Sequence, residues 1–225
     1  IYSYSWIEQP LVPVASEPAD SDSEERMDVA SAAAGWIVLM DEGGIGQQLT
    51  QRLLQRGDRV AHIYGHDSHV PQAASVPSFS QADPESLESF QDALDAALTT
   101  LENDLSGIVY LWALDVPPAE SLSCETLQHS TRLTALAPTY LVQAWEQCAR
   151  TSSDNPSVDN SSSGSPNSGS QTQVDLFFVT AGAQASDGEP QQTQLAQSPL
   201  IGLGRVVASE IASLRADTRH QDQQA

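Results

Sequence analysis

Four short apolar runs, each followed by a segment of different periodicity, restrict this chain more than any other feature. Residues 36–40 (WIVLM), 59–64 (RVAHIY), 108–112 (IVYLW) and 174–180 (VDLFFVT) are of strand length and end at turn residues. Near-continuous apolar runs of this kind belong to strands buried on both faces. After the first run, Leu49, Leu53 and Leu54 fall on one helical face, and Gly57 closes the helix. Pro84 is expected to open a second helix reaching about Leu101, with Leu87, Phe90, Leu94 and Leu98 at helical spacing. Residues 122–150 read as helical through Leu133, Leu136, Tyr140, Leu141, Ala144 and Trp145, with Pro138 kinking or dividing the segment. Pro199 opens a last helix through Arg205, Val206 and Ile211. Strands alternating with helices predict an α/β fold, a Rossmann-like parallel sheet with flanking helices. Four body strands are few for a complete dinucleotide domain, so the expected sheet is truncated.

Other segments lie outside this alternation. Tyr2, Tyr4 and Trp6 alternate with polar residues, the period of a half-buried strand over residues 1–10. Residues 11–34 include the acidic run SEPADSDSEE and read as a linker, so the opening strand is expected to pair outside the body. The body spans 35–214. Residues 66–83 within it read as irregular, and 151–173 as a disordered insertion whose single apolar side chain is Val158. Residues 215–225 read as a polar tail.

Charge removes whole classes of function. Thirty acidic residues face nine basic ones, a formal charge of −21, and all nine basic residues are arginine. Without lysine there is no Schiff-base lysine, no phosphate-loop lysine and no Tyr-x-x-x-Lys pair. The acidic balance argues against nucleic acid, which needs clustered basic groups, and against a polybasic membrane anchor. No stretch approaches the roughly 18 apolar residues of a membrane span. Cys124 and Cys148 lie in one helical region, roughly 36 Å apart at 1.5 Å per residue, too far for a disulfide. A reducing, cytoplasmic setting is the expectation.

The sharpest chemical candidate is the turn after the first strand, Met40-Asp41-Glu42-Gly43-Gly44-Ile45-Gly46. Gly44 and Gly46 fit the first two positions of G-x-G-x-x-G, Leu49 stands at the third, and Asp67 falls near where a ribose-binding acid would sit. Against a nucleotide stand the carboxylates of Asp41 and Glu42, at the helix N-terminus a pyrophosphate would occupy. The electrostatics favour a packing turn whose glycines serve the chain and whose acids cap the helix. His62, His66 and His69 with Asp67 mimic a metal cluster, but a strand histidine and loop histidines lack helical ligand spacing, and no metal site is expected. No G-x-S-x-G elbow is present, and neither cysteine has a C-x-x-C partner.

Four segments in order carry a family resemblance: WIVLMDEGGIGQQLTQRLLQRGDRV (36–60), GIVYLWALD (107–115), VDLFFVTAGAQ (174–184) and SPLIGLGRVVASE (198–210). Together they resemble the structural, N-terminal subdomain of the ketoreductase in modular type I polyketide synthases. The opening strand with Trp6 resembles the start of that subdomain. The resemblance implies a non-catalytic half that binds no cofactor and braces a second half. That second half carries NADPH and the Ser, Tyr and Lys that reduce a β-ketoacyl group held on an acyl carrier protein. It also implies that the opening strand pairs with the catalytic subdomain, in cis or in trans. No catalytic residue has a counterpart here. The chain departs from the family pattern after Glu210, where Ile211-Ala212-Ser213-Leu214 runs into a polar end, and in the length of 151–173. Two alternatives stay open: a self-contained NAD(P)-binding reductase or dehydrogenase, and a bracing pseudo-ketoreductase beside another enzyme of a polyketide synthase.

Overall fold

Strand β1 (Gly35–Leu39) shows why the apolar runs are continuous. Its alternate side chains enter two separate cores: Ile37 and Leu39 one, Val38 the other, joined there by Met40 just beyond the strand. All four are essentially inaccessible to water. A strand covered on both faces has no polar side to reveal its period. The computed structural model describes residues 33–66, 68, 79–121, 123–153, 174–183, 194–211 and 214–220.

Helix α1 (Ile45–Arg56) follows β1, then β2 (Arg59–Gly65), β3 (Phe79–Ala82), α2 (Leu87–Thr100) and β4 (Gly107–Tyr110). Helices α3 (Cys124–Thr131) and α4 (Ala137–Ser153) come next, then β5 (Val174–Thr180), α5 (Pro199–Glu210) and β6 (Leu214–His220). The sheet has six strands in the order β3-β2-β1-β4-β5-β6, and every pairing is parallel. This is the Rossmann-like α/β fold the alternation predicts. Helices α2, α4 and α5 pack on one face through Phe90, Leu94, Leu141, Trp145, Leu200 and Val207. Helix α1 packs on the other through Leu53, with Ile45 and Leu49.

The sheet is longer than expected. Residues 79–82, within the segment read as irregular, add β3 beside β2. Leu214, the last body residue expected, and residues 215–220, assigned to a polar tail, pair with all seven residues of β5. Both are edge strands, where one-sided pairing lets polar residues stand in strand conformation. Among the described residues the sheet thus has two strands more than the four apolar runs announce. The opening strand, nearly all of the linker and 154–173 of the expected insertion lie outside the described residues.

Three boundaries differ for local reasons. Helix α2 begins at Leu87 instead of Pro84, because the Ser86 hydroxyl accepts the Ser89 amide and caps it. Trp112 leaves β4 and starts a 3₁₀ turn, Trp112–Asp115. Between α3 and α4 lies a π-helical turn, Arg132–Leu136, which ends just before Pro138. A proline there supplies no amide to the preceding turn, and the wider π geometry accommodates the missing bond. Tyr110, fully buried beside Trp112 and Phe178, donates its hydroxyl to the Leu133 carbonyl in that turn. Leu54, placed by the pattern on the inner face of α1, is 44% exposed while Leu53 carries the contact.

Candidate functional site

In a parallel sheet of this order, ligands enter beyond the strand C-termini where the order reverses. Here that point lies between β1 and β4, flanked by the β1–α1 turn and the 3₁₀ turn after β4. Gly44 adopts φ 88°, the left-handed conformation that lets the chain enter α1. Gly46 has a different constraint. A Cβ there would meet the Met40 sulfur at 2.9 Å and Asp41 Oδ1 at 3.1 Å. Both glycines serve the packing of the turn.

The amides of this turn are already engaged. Ile45 N donates to Asp41 Oδ2 at 3.0 Å, and Gly46 N donates to Asp41 Oδ1 at 2.6 Å. The Asp41 carboxylate is buried and occupies the helix N-terminus as a bound anion would. Glu42 N donates across the crevice to Asp115 Oδ1 at 2.9 Å. This alters one expectation. Glu42 contributes its backbone amide while its side chain is exposed, and the second carboxylate holding the turn is Asp115. Asp115 lies 73 residues along the chain from Glu42, so no local motif marked it. Its carboxyl is pushed up to about 6, chiefly by burial and further by the charges of Asp41 and Glu42, against the lowering effect of the nearby Glu42 and Gly43 amides.

Asp41→Ala should leave the Ile45 and Gly46 amides without acceptors in a buried turn. We expect a loss of about 1–2 kcal/mol, the range of a helix N-cap, read by urea unfolding. A loss below a few tenths would mean that water replaces the carboxylate without cost.

Of the histidine group, only His62 and His66 lie among the described residues. His62 lies on β2 facing α1, 3% exposed, with Nε2 at 2.8 Å from Thr50 Oγ1 and Nδ1 at 3.5 Å from the Tyr64 hydroxyl. Burial lowers its pKa to about 4. His66 stands just after β2, while Asp67 and His69 lie outside the described residues. Among the described residues no three His, Cys, Asp or Glu side chains gather as a metal would require. Neither Cys124 nor Cys148 is in a disulfide, and Cys124 is exposed. Burial, with Asp95 beside it, pushes Cys148 up to about 11, away from nucleophilic use. A cleft lined by Ala61, His62, Phe79, Ser80 and Ala97 holds about 40 Å³, far below the several hundred of a nucleotide site. No helix among the described residues is long and apolar enough to cross a membrane.

No family model matches the chain, and no curated protein matches it. Solved structures do. A short-chain dehydrogenase from Mycobacterium smegmatis superposes with TM-score 0.61 at 14% identity, covering 85% of this chain and 78% of its own. A gluconate 5-dehydrogenase from Burkholderia cenocepacia, solved with NADP and tartrate, gives 0.59 at 10% identity, covering 84% and 71%. An adenylation, ketoreductase and pseudo-Asub multidomain structure of a keto acid-selecting NRPS module gives 0.61 at 12% identity. That match covers 86% of this chain and 14% of the much longer module. At these identities the likeness establishes the fold: this chain has the parallel α/β sheet of short-chain dehydrogenases and of a ketoreductase-containing module.

Proposed function

We propose that this chain is a non-catalytic structural subdomain that braces the NADPH-dependent catalytic half of a polyketide synthase ketoreductase. The observation that carries this reading is the self-occupied turn. In a sheet of the dehydrogenase type, the amides suited to a pyrophosphate are held by Asp41 and Asp115, and a bound phosphate would meet two carboxylates. The absence of lysine removes the Tyr-x-x-x-Lys pair, which fits a half that leaves reduction to its partner. The ordered family resemblance and the likeness to a ketoreductase-containing module support the same reading. The partners are then the catalytic subdomain and the acyl carrier protein of one cytoplasmic assembly line. The complete domain would reduce carrier-bound β-ketoacyl groups.

Titrating the isolated chain with NADPH, followed by nucleotide fluorescence, tests the reading directly. No saturable signal is expected up to about 1 mM, the upper end of ordinary cofactor and substrate sites. Saturation in the micromolar range would overturn the proposal and favour a self-contained NAD(P)-binding reductase.

A further inference from the structure

Strand β3 ends the sheet on one side, and its two faces leave room for side chains of different size. It pairs with β2 through Phe79–Ala82, and the Ala82 carbonyl accepts the His66 amide. Backbone groups alternate along a strand. Ser80 and Ala82 therefore turn inward to β2, while the N–H and C=O of Phe79 and Gln81 turn to the open edge. Among the described residues no strand lies beyond them. The Phe79 ring is on the α1 side, edge-on to Tyr64 at 6.1 Å and still 55% exposed. Ser80 is on the other side, where its hydroxyl donates to the Ala93 carbonyl of α2. The cleft between β3 and α2, lined there by Ser80, Ala96, Ala97 and Thr100, holds about 40 Å³. That is room for a water or a hydroxymethyl group, and not for a ring. A strand added at this edge must carry bulky apolar side chains on one face and small ones on the other.

We propose that the opening segment of this same chain, Tyr2-Ser3-Tyr4-Ser5-Trp6, docks on the β3 edge and adds to the sheet. Its sequence alternates in that sense, with Tyr2, Tyr4 and Trp6 at one set of alternate positions and Ser3 and Ser5 at the other. Laid along β3, the aromatic face joins Phe79 and the serine face meets the cleft beside Ala96 and Thr100. Main-chain bonds to Phe79 and Gln81 supply the pairing, as when an extended peptide adds to an open sheet edge. The tether is long enough: residues 7–32 span up to about 85 Å when extended. The described chain enters at β1, only two strand spacings from β3, about 10 Å. Tethering gives the segment a high effective concentration at this edge, which favours it over the same segment of a second copy. The family resemblance implies a catalytic subdomain as the partner of this segment. The β3 edge is its place in the chain by itself, and this docking does not require the bracing role.

Amide exchange followed by NMR, on the full chain and on a form lacking residues 1–10, reads the docking. Without the segment, the outward amides of Phe79 and Gln81 should lose at least about tenfold in protection. Those of Ser80 and Ala82, turned to β2, should keep theirs. Ala96→Trp, at an exposed helix position beside the cleft, should cause the same loss at Phe79 and Gln81 with residues 1–10 in place. Equal protection of Phe79 and Gln81 in all three proteins would overturn the docking. Protection that rises with protein concentration would overturn it too, since the segment would then come from a second copy. The NADPH titration reads neither result, so the docking and the bracing role fail separately.

Discussion

Gly35→Ala is expected to cost at least about 3 kcal/mol, enough to leave a domain of ordinary stability largely unfolded under mild denaturant. A Cβ at Gly35 would lie 1.8 Å from the Asp104 carbonyl oxygen and 3.0 Å from its carbon. Both are backbone atoms, so no side chain can turn aside. The neighbouring chain is also pinned. Ser106 N donates to the Gly35 carbonyl at 2.8 Å, and the β1–β4 register begins one residue on, at Trp36 and Gly107. Arg59 binds both Glu102 and Asp104 from β2, anchoring the loop a new methyl would displace. Relief therefore requires shifting the α2–β4 loop against β1, which breaks central-strand pairing and exceeds the usual 1–3 kcal/mol of overpacking. Gly202→Ala on α5 is the control. A Cβ there meets nothing within 4 Å, so the helix interior should gain about 0.5–1 kcal/mol. Urea midpoints of the two variants should move in opposite directions. A Gly35→Ala protein within 1 kcal/mol of the parent would show that the loop yields freely.

The residues readable from the sequence were those whose environment repeats along the chain. Ile37 to Leu39 and Ile108 to Tyr110 announce strands because burial on two faces forces apolar side chains at successive positions. Phe90 and Leu94 announce α2 because one face of a helix is buried. β3 and β6 were not legible. Phe79-Ser80-Gln81-Ala82 is too short to show a period, and Leu214–His220 places Arg215, Asp217 and Arg219 in a strand at the sheet edge. The turn was half legible. Asp41 and its glycines are local, and their capping role follows from the helix N-terminus. Asp115 became visible only when the sheet order placed the end of β4 beside the end of β1. The same holds for His62. Its partners Thr50 and Tyr64 lie on α1 and β2, and no spacing rule distinguishes that arrangement from a solvated loop histidine.

Between pH 4 and 6.5, buried His62 and half-buried Asp115 should drive stability in opposite directions, and removing either one should expose the other. His62 is held neutral, its pKa lowered by burial from 6.5 to about 4. Its contribution is complete above 6.5 and is lost as pH falls toward 4, because the unfolded chain takes up the proton first. At 1.36 kcal/mol per unit this amounts to about 2–3 kcal/mol. Asp115 is raised from 3.8 to about 6, chiefly by burial, so its contribution has the reverse sign. It is complete below 3.8 and is lost as pH rises through 6. Because Asp115 is only partly buried, screening reduces that contribution to about 1 kcal/mol. Other carboxylates also titrate here, so the useful quantity is the stability of each variant minus that of the parent at the same pH. For His62→Gln, which keeps a polar partner for Thr50, that difference should rise by about 2–3 kcal/mol on acidification from pH 7 to 4. For Asp115→Asn it should fall by about 1 kcal/mol over the same range. Reversible urea unfolding at half-unit pH steps gives both curves. Two flat difference curves would show that neither group is shifted by the fold, and a rise for Asp115→Asn would show that its carboxyl is stabilised in the ionised form.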